Sequence, residues 1–153
     1  MSDCESLGRM SGLLALLHAA GSVESFVDSR LSAIGLSLPK LAALDRLMQT
    51  PGGSLPLGQL ADRLACVKSN VTQLVDRLEA DGLVTREPDP SDRRSRLAVI
   101  TNAGRQAYEK GAGIHRDAER QLFGALTDDD AARLADIFEK LDRARLTPQP
   151  ALD

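Results

Sequence analysis

A chain of 153 residues with 42% hydrophobic content can bury one compact core, but aromatics make up only 3%, so Leu, Ala and Val must fill it. The formal net charge of −3 excludes a uniformly basic nucleic-acid binder, and any such binding has to come from local placement of charge. Two cysteines, Cys4 and Cys66, exclude a disulfide framework, and no apolar run approaches the length of a membrane span.

The run "GLLALLHAAGS" is too short and too acidic at its front ("MSDCES") for a secretory signal, so a reducing cytoplasm is the expected compartment. From Glu5 to Ile34, Leu7, Met10, Leu14, Leu17, Phe26, Val27, Leu31 and Ile34 fall largely at helical spacings. Leu13 and Leu16 widen that stripe, so the helix is expected to bury more than one face, in one reading against a second chain. Gly35 breaks it. Ser37 can cap the next helix and Pro39 sits in its first turn, where the missing N–H costs little. Pro51-Gly52-Gly53 ends that helix.

"LGQLADRL" predicts a short helix with Leu57, Leu60, Ala61 and Leu64 on one side. After "ACV", "KSNVTQLVDRLEADG" predicts a longer one stopped by Gly82. "GLVTREPDPSDRRSRLAVIT", Gly82 to Thr101, then places two short Val-, Leu-, Ile- and Thr-rich runs around a Pro- and Asp-containing turn, with four arginines in the stretch. Two further helices follow. One begins near Thr101-Asn102 and runs towards Ala125. The other opens with "TDDD", where Thr127 can cap and Asp128 to Asp130 suit the positive end of the helix dipole. Leu134, Ile137, Phe138 and Leu141 form its apolar stripe.

Short helix, tight turn, longer helix and hairpin is the order of a winged helix-turn-helix. The expected fold is therefore mostly α with a small β-hairpin wing, carried on a helical dimerisation frame. Residues 1–35 are assigned to an N-terminal dimerisation helix and 36–101 to the DNA-binding lobe, with the recognition helix at about 67–81 and the wing at about 83–101. Residues 102–147 are assigned to C-terminal dimerisation helices and 148–153 to a flexible tail.

Within the recognition helix Val71, Leu74, Val75 and Leu78 share a core face. The opposite face presents Ser69, Asn70, Gln73, Asp76 and Arg77, with Lys68 and Thr72 at its margins. Asn and Gln can pair with adenine edges, Ser and Thr with base edges or phosphate, and Lys68 and Arg77 can neutralise phosphates. Taken alone, the face reads first as the solvated side of an amphipathic helix. The turn shifts that balance, because Arg93, Arg94 and Arg96 crowd the place where strand pairing ends, and a narrow minor groove attracts inserted arginines. Protection of a sheet edge needs only one or two charges. Arg93 is expected to enter the groove, and Arg94 to pair with Asp92 or contact phosphate. Asp92 is expected to brace the wing by pairing with an arginine. From Gly58 to Leu97 there are seven basic and seven acidic residues, so formal charge alone does not decide.

The run from Leu57 to Gly104 resembles the MarR family of bacterial transcription regulators. Its most specific marks are the "D-x-R" of Asp92 and Arg94, "LVDRLEADGLV" before it and "T-x-A-G" after it. The resemblance implies an obligate homodimer joined through terminal helices, a pseudo-palindromic double-stranded DNA operator, and no catalytic centre or cofactor. It also implies a repressor released by a small aromatic or phenolic ligand, with Phe26, Arg30 and Asp45 the candidates to line an effector pocket. Ala65, Val67 and Pro56 depart from the family's pattern, standing where Gly and two helix caps are usual.

Two alternatives are carried alongside. Some family members sense oxidants through an N-terminal cysteine, which makes Cys4 and Cys66 candidate redox thiols, although Cys66 occupies a position normally apolar and buried. A winged helix can also serve as a protein-interaction module without DNA. His18 and His115, the two histidines, lack ligand spacing with either cysteine, so no metal site is expected. No nucleophile elbow, phosphate loop or dinucleotide fingerprint is present, and "GAG" at Gly111 to Gly113 suits close helix packing.

Overall fold

The computed structural model describes residues 12–64 and 68–146, except the side chains of 68, 69, 145 and 146. Its helices are α1 (Gly12–Leu31), α2 (Leu38–Met48), α3 (Leu57–Arg63), α4 (Lys68–Ala80), α5 (Asn102–Phe123) and α6 (Asp128–Leu146). The strands are β1 (Ser54–Pro56), β2 (Val84–Pro88) and β3 (Arg96–Ile100). Among the described residues no helix is long and apolar enough to cross a membrane.

Local chemistry sets the boundaries. After α1 and a single 3₁₀ turn, Gly35 adopts a left-handed φ of 74°, and the Leu36 amide donates back to the Leu31 carbonyl at 3.1 Å. The free amides at the start of α2 are met twice: Leu38 N–H donates to Asp28 Oδ1 at 2.6 Å and Lys40 N–H to Ser37 Oγ at 3.5 Å. Pro39 stands in the first turn, as expected. Pro56 supplies no side-chain cap to α3.

The chain divides into two compact units, Met1–His115 and Arg116–Asp153, so the division falls inside α5. The first unit holds the core: Leu31, Leu44, Leu47, Leu60, Val71, Val75, Leu78 and Val84 are fully buried. Each such side chain contributes about 1.5–3 kcal/mol relative to exposure. Leucine and valine fill this interior, as the scarcity of aromatics requires.

The sheet has one strand more than the hairpin read from sequence. Its order is β1-β3-β2, antiparallel throughout, with Leu55 opposite Ala98 and Arg86 opposite the same residue from the other side. A three-residue strand ending in proline offers no alternation to detect, and it pairs only because the turn at Pro51–Gly53 delivers it beside β3. Gly53 is needed at that turn: its φ is 68°, and a Cβ would lie 2.6 Å from Ile100 Cγ2.

Thr101 joins three elements at the root of the hairpin. Its hydroxyl donates to the Gly82 carbonyl at 2.8 Å and accepts from the Gly104 amide at 3.0 Å, capping α5. Gly104 follows because α5 packs directly on the backbone of Leu83, whose carbonyl oxygen would collide with any Cβ there. Gly111 likewise lets Leu36 and Leu41 reach the α5 backbone, so the close packing expected of "GAG" is found there, whereas a Cβ at Gly113 would meet nothing within 4 Å.

In the second unit Thr127 caps α6, accepting from the Asp130 amide at 3.2 Å while Asp130 Oδ2 accepts from the Thr127 amide at 3.0 Å. Of its described residues only Ala118 is buried.

Candidate nucleic-acid interface

The interface begins with the two faces of α4. Val71, Val75 and Leu78 are buried and Leu74 is half-buried, which fixes the rotation of the helix. Asn70, Thr72, Gln73, Asp76 and Arg77 are exposed, so every one of these expected outward residues does face outward. Lys68 and Ser69 belong to α4, but their side chains lie outside the described residues, as do Ala65, Cys66 and Val67. The helix ends at Gly82, with φ 71° and the Leu83 amide donating to the Leu78 carbonyl at 2.9 Å.

The wing tip between β2 and β3 is held by two short turns of the same kind. Asp89, 9% exposed, accepts from the Ser91 amide at 2.8 Å and the Ser91 hydroxyl at 2.7 Å through one carboxylate oxygen. Asp92 Oδ1 accepts from the Arg94 amide at 2.9 Å, and the Asp92 carbonyl from the Ser95 amide at 2.9 Å. This corrects the expected pairing of Asp92 with an arginine side chain: among the described residues its carboxylate meets a backbone amide and forms no ion pair. The Asp92 carboxylate is already taken by a backbone amide of the turn, and Asp89 shares the bracing. Arg94 is thereby left with its side chain outward, like Arg93.

The hydroxyl of Ser91, then its amide, hold the Asp89 carboxyl below the usual aspartate range against a smaller opposing effect of burial. A depressed carboxyl favours the folded tip above its ordinary pKa and loses that contribution as pH falls through the folded value. Acidification should therefore loosen the tip before the core. Backbone amide shifts of Ser91 and Ser95 followed by NMR down an acid series would report it, and Asp89→Asn, which keeps an acceptor oxygen, should flatten the response. Unchanged amide shifts through the carboxylate range would refute the brace.

Arg86, on β2, connects wing to helix. Its Nη1 lies 2.6 Å from Asp76 Oδ1 and 2.9 Å from Glu79 Oε2, and its Nη2 donates to the Thr72 carbonyl at 3.1 Å. Asp81, just beyond α4, is paired with Lys40 of α2 at 2.6 Å.

These pairings change the meaning of formal neutrality. Asp76 and Glu79 share the single Arg86 guanidinium, Asp81 is paired with Lys40, and Asp89 and Asp92 accept from amides and a hydroxyl of the tip. Arg77, Arg93, Arg94 and Arg96 are exposed, and among the described residues none has a side-chain hydrogen bond or ion pair. The exposed arginines gather at the wing tip and on the outer face of α4, while Asp76 and Glu79 are drawn to Arg86.

The remaining candidates are placed elsewhere. Arg30 lies over the Phe26 ring, 4.3 Å from its centroid. Asp45 accepts from Tyr108 Oη at 2.9 Å and Gln49 Nε2 at 2.7 Å, an internal use that does not depend on a ligand. A surface cleft of about 320 Å³ is lined by Ile34, Ala103, Gln106, Ala107 and Lys110, and none of Phe26, Arg30 and Asp45 borders it. Cys4 lies outside the described residues. His18 and His115 are exposed, and among the described residues no cluster of His, Cys, Asp or Glu is placed to hold a metal ion.

An exposed polar helix following a short helix, with a paired β-wing beside it, defines a winged helix-turn-helix. A family model described as "MarR family" matches residues 34–95. The HTH-type transcriptional repressor Mb2911 of Mycobacterium bovis is 30% identical over 127 residues, covering 82% of this chain and 90% of that protein. The transcriptional activatory protein BadR of Rhodopseudomonas palustris is 36% identical over 95 residues, 61% of this chain but only 51% of its own length. Among solved structures, Sco3205 of Streptomyces coelicolor, a MarR family transcriptional regulator in complex with DNA, superposes with a TM-score of 0.80 at 29% identity. That match covers 90% of this chain and 86% of Sco3205. The chain belongs to the MarR family of DNA-binding transcription regulators.

Proposed function

We propose that this protein is a cytoplasmic repressor that binds a pseudo-palindromic operator as a homodimer. Asn70, Gln73 and Thr72 of α4, with Ser69, read bases in the major groove. Lys68 and Arg77 contact phosphate, and Arg93, Arg94 and Arg96 approach the flanking minor groove. The observation that carries this reading is the exposure of Arg77, Arg93, Arg94 and Arg96, none of them paired among the described residues, beside Asp76 and Glu79 that Arg86 engages. Repression is preferred over activation because the match to a repressor spans 90% of Mb2911 whereas that to BadR spans 51%. Release by a small aromatic or phenolic ligand enters the proposal from the family resemblance.

Dimerisation is supported by apolar side chains that each unit leaves in water. Leu13, Leu14, Leu17 and Val23 of α1 are exposed, as are Phe123, Leu126, Ile137, Phe138 and Leu141 in the second unit. Two outward faces of this kind suit a second copy of the chain.

Gln73 gives the discriminating test. Gln73→Ala should lose roughly 1–3 kcal/mol of discrimination at one base position per half-site. Lys68→Ala should instead weaken all sequences alike and flatten the salt dependence. Binding is measured over single-base operator variants at two salt concentrations. A uniform loss for Gln73→Ala would make it a backbone contact and move base reading to Ser69 and Asn70. Binding that ignores both salt and competitor DNA would favour the protein-interaction module.

A further inference from the structure

We infer that Arg86 is a positioning residue for DNA recognition, holding the carboxylates of Asp76 and Glu79 away from the phosphates so that α4 can enter the groove. The inference rests on the DNA-binding reading above. Thr72, Asp76 and Glu79 follow one another at i, i+4 and i+7, forming a stripe of α4 beside the stripe of Asn70, Gln73 and Arg77. Arg86 is the residue that occupies the first stripe: its guanidinium meets Asp76 at 2.6 Å, Glu79 at 2.9 Å and the Thr72 carbonyl at 3.1 Å. Its own amide donates to Glu79 Oε1 at 3.2 Å, so the helix and β2 are tied through both backbone and side chain.

The two carboxylates remain accessible to solvent, Asp76 at 55% and Glu79 at 41%, whereas the Arg86 side chain is 22% exposed. That asymmetry sets its role apart from Arg93 and Arg94. Those are exposed and without side-chain partners among the described residues, while Arg86 is mostly buried and engaged on several sides. Without it, two bare negative charges would flank the base-reading residues and repel the phosphate backbone. A planar fork suits the task better than an ammonium, because one guanidinium has to reach two carboxylates and a carbonyl together.

Weaker binding on loss of Arg86 would follow equally from a lost phosphate contact, so the test lies in the rescue. The full chain is used to select its tightest duplex from a random-sequence pool. Affinities for that duplex and for a random duplex of equal length are then measured by fluorescence anisotropy at low salt. Arg86→Ala should weaken both roughly tenfold, since a repulsive field carries no sequence information. Adding Asp76→Asn and Glu79→Gln to Arg86→Ala should restore both to within about twofold of wild type. Arg86→Lys should lose less than Arg86→Ala.

A triple variant as weak as Arg86→Ala would overturn the inference, showing a direct contact or a purely structural tie, and so would wild-type affinity in Arg86→Ala. Should thermal melting show Arg86→Ala unfolded, Asp76→Asn/Glu79→Gln with Arg86 intact carries the test. It should bind the random duplex more tightly than wild type, and unchanged or weaker binding overturns the inference. A wild-type chain that selects no duplex removes the DNA-binding reading and this inference with it. Selection by wild type followed by failed rescue removes the Arg86 assignment alone.

Discussion

Replacing Arg93 and Arg94 together by alanine is expected to weaken operator binding on the order of a hundredfold per half-site, taking about 1.5 kcal/mol for each charged hydrogen bond lost. The thermal transition should stay in place, because both side chains are exposed and neither holds another group among the described residues. The slope of log affinity against log salt should fall by roughly one for each arginine that meets a phosphate. Anisotropy titrations across a salt series, paired with melting curves, separate this from unfolding. Equal affinity in wild type and variant at matched salt would remove the wing from the interface.

The features of this fold that sequence made legible are those written in single residues or short periods. Gly35, Ser37, Pro39 and Gly82 each stand at an element end whose geometry only a few residue types satisfy, and each is used as its type suggests. The inward face of α4 followed from Val71, Leu74, Val75 and Leu78 repeating at helical spacing. What escaped depends on pieces distant in sequence. β1 has no pattern of its own and exists because β3 arrives beside it. Asp92 was assigned a side-chain partner because charge is visible in a sequence and backbone amides are not. Nothing in the sequence sets Arg86 apart from the other arginines between Gly82 and Thr101. The stripe of Thr72, Asp76 and Glu79 was present at i, i+4 and i+7, but which strand residue would cross it depends on how the Gly82 turn aims β2.

Ending the chain after Leu126 is expected to abolish dimerisation and to reduce operator affinity by roughly 10²–10⁴-fold, the advantage that two linked half-site contacts hold over one. The deletion removes α6, where Ile137, Phe138 and Leu141 are 49%, 47% and 45% exposed. Such a face is costly to leave in water, and burying it against a second copy recovers about 25 cal/mol per Å² of apolar surface. Sedimentation velocity at micromolar concentration checks the assembly, and circular dichroism checks that the lobe remains helical. A gentler variant, Phe138→Glu with Leu141→Glu, should give the same monomer while keeping the chain at full length. A truncated protein that still sediments as a dimer would place the interface wholly in α1.

The wing closes in two places that do not depend on each other. At its root β3 is paired on both edges, and Thr101 pins that root to Gly82 and α5. At its tip Asp89 and Asp92 fold the turn through Ser91, Arg94 and Ser95 with contacts that never leave the turn. The outward side chains at 93, 94 and 96 therefore sit on a cassette whose shape is self-supplied. Side chains at these positions can be exchanged without dismantling the turn that carries them, because what shapes the tip is its own backbone and two aspartates rather than the outward arginines.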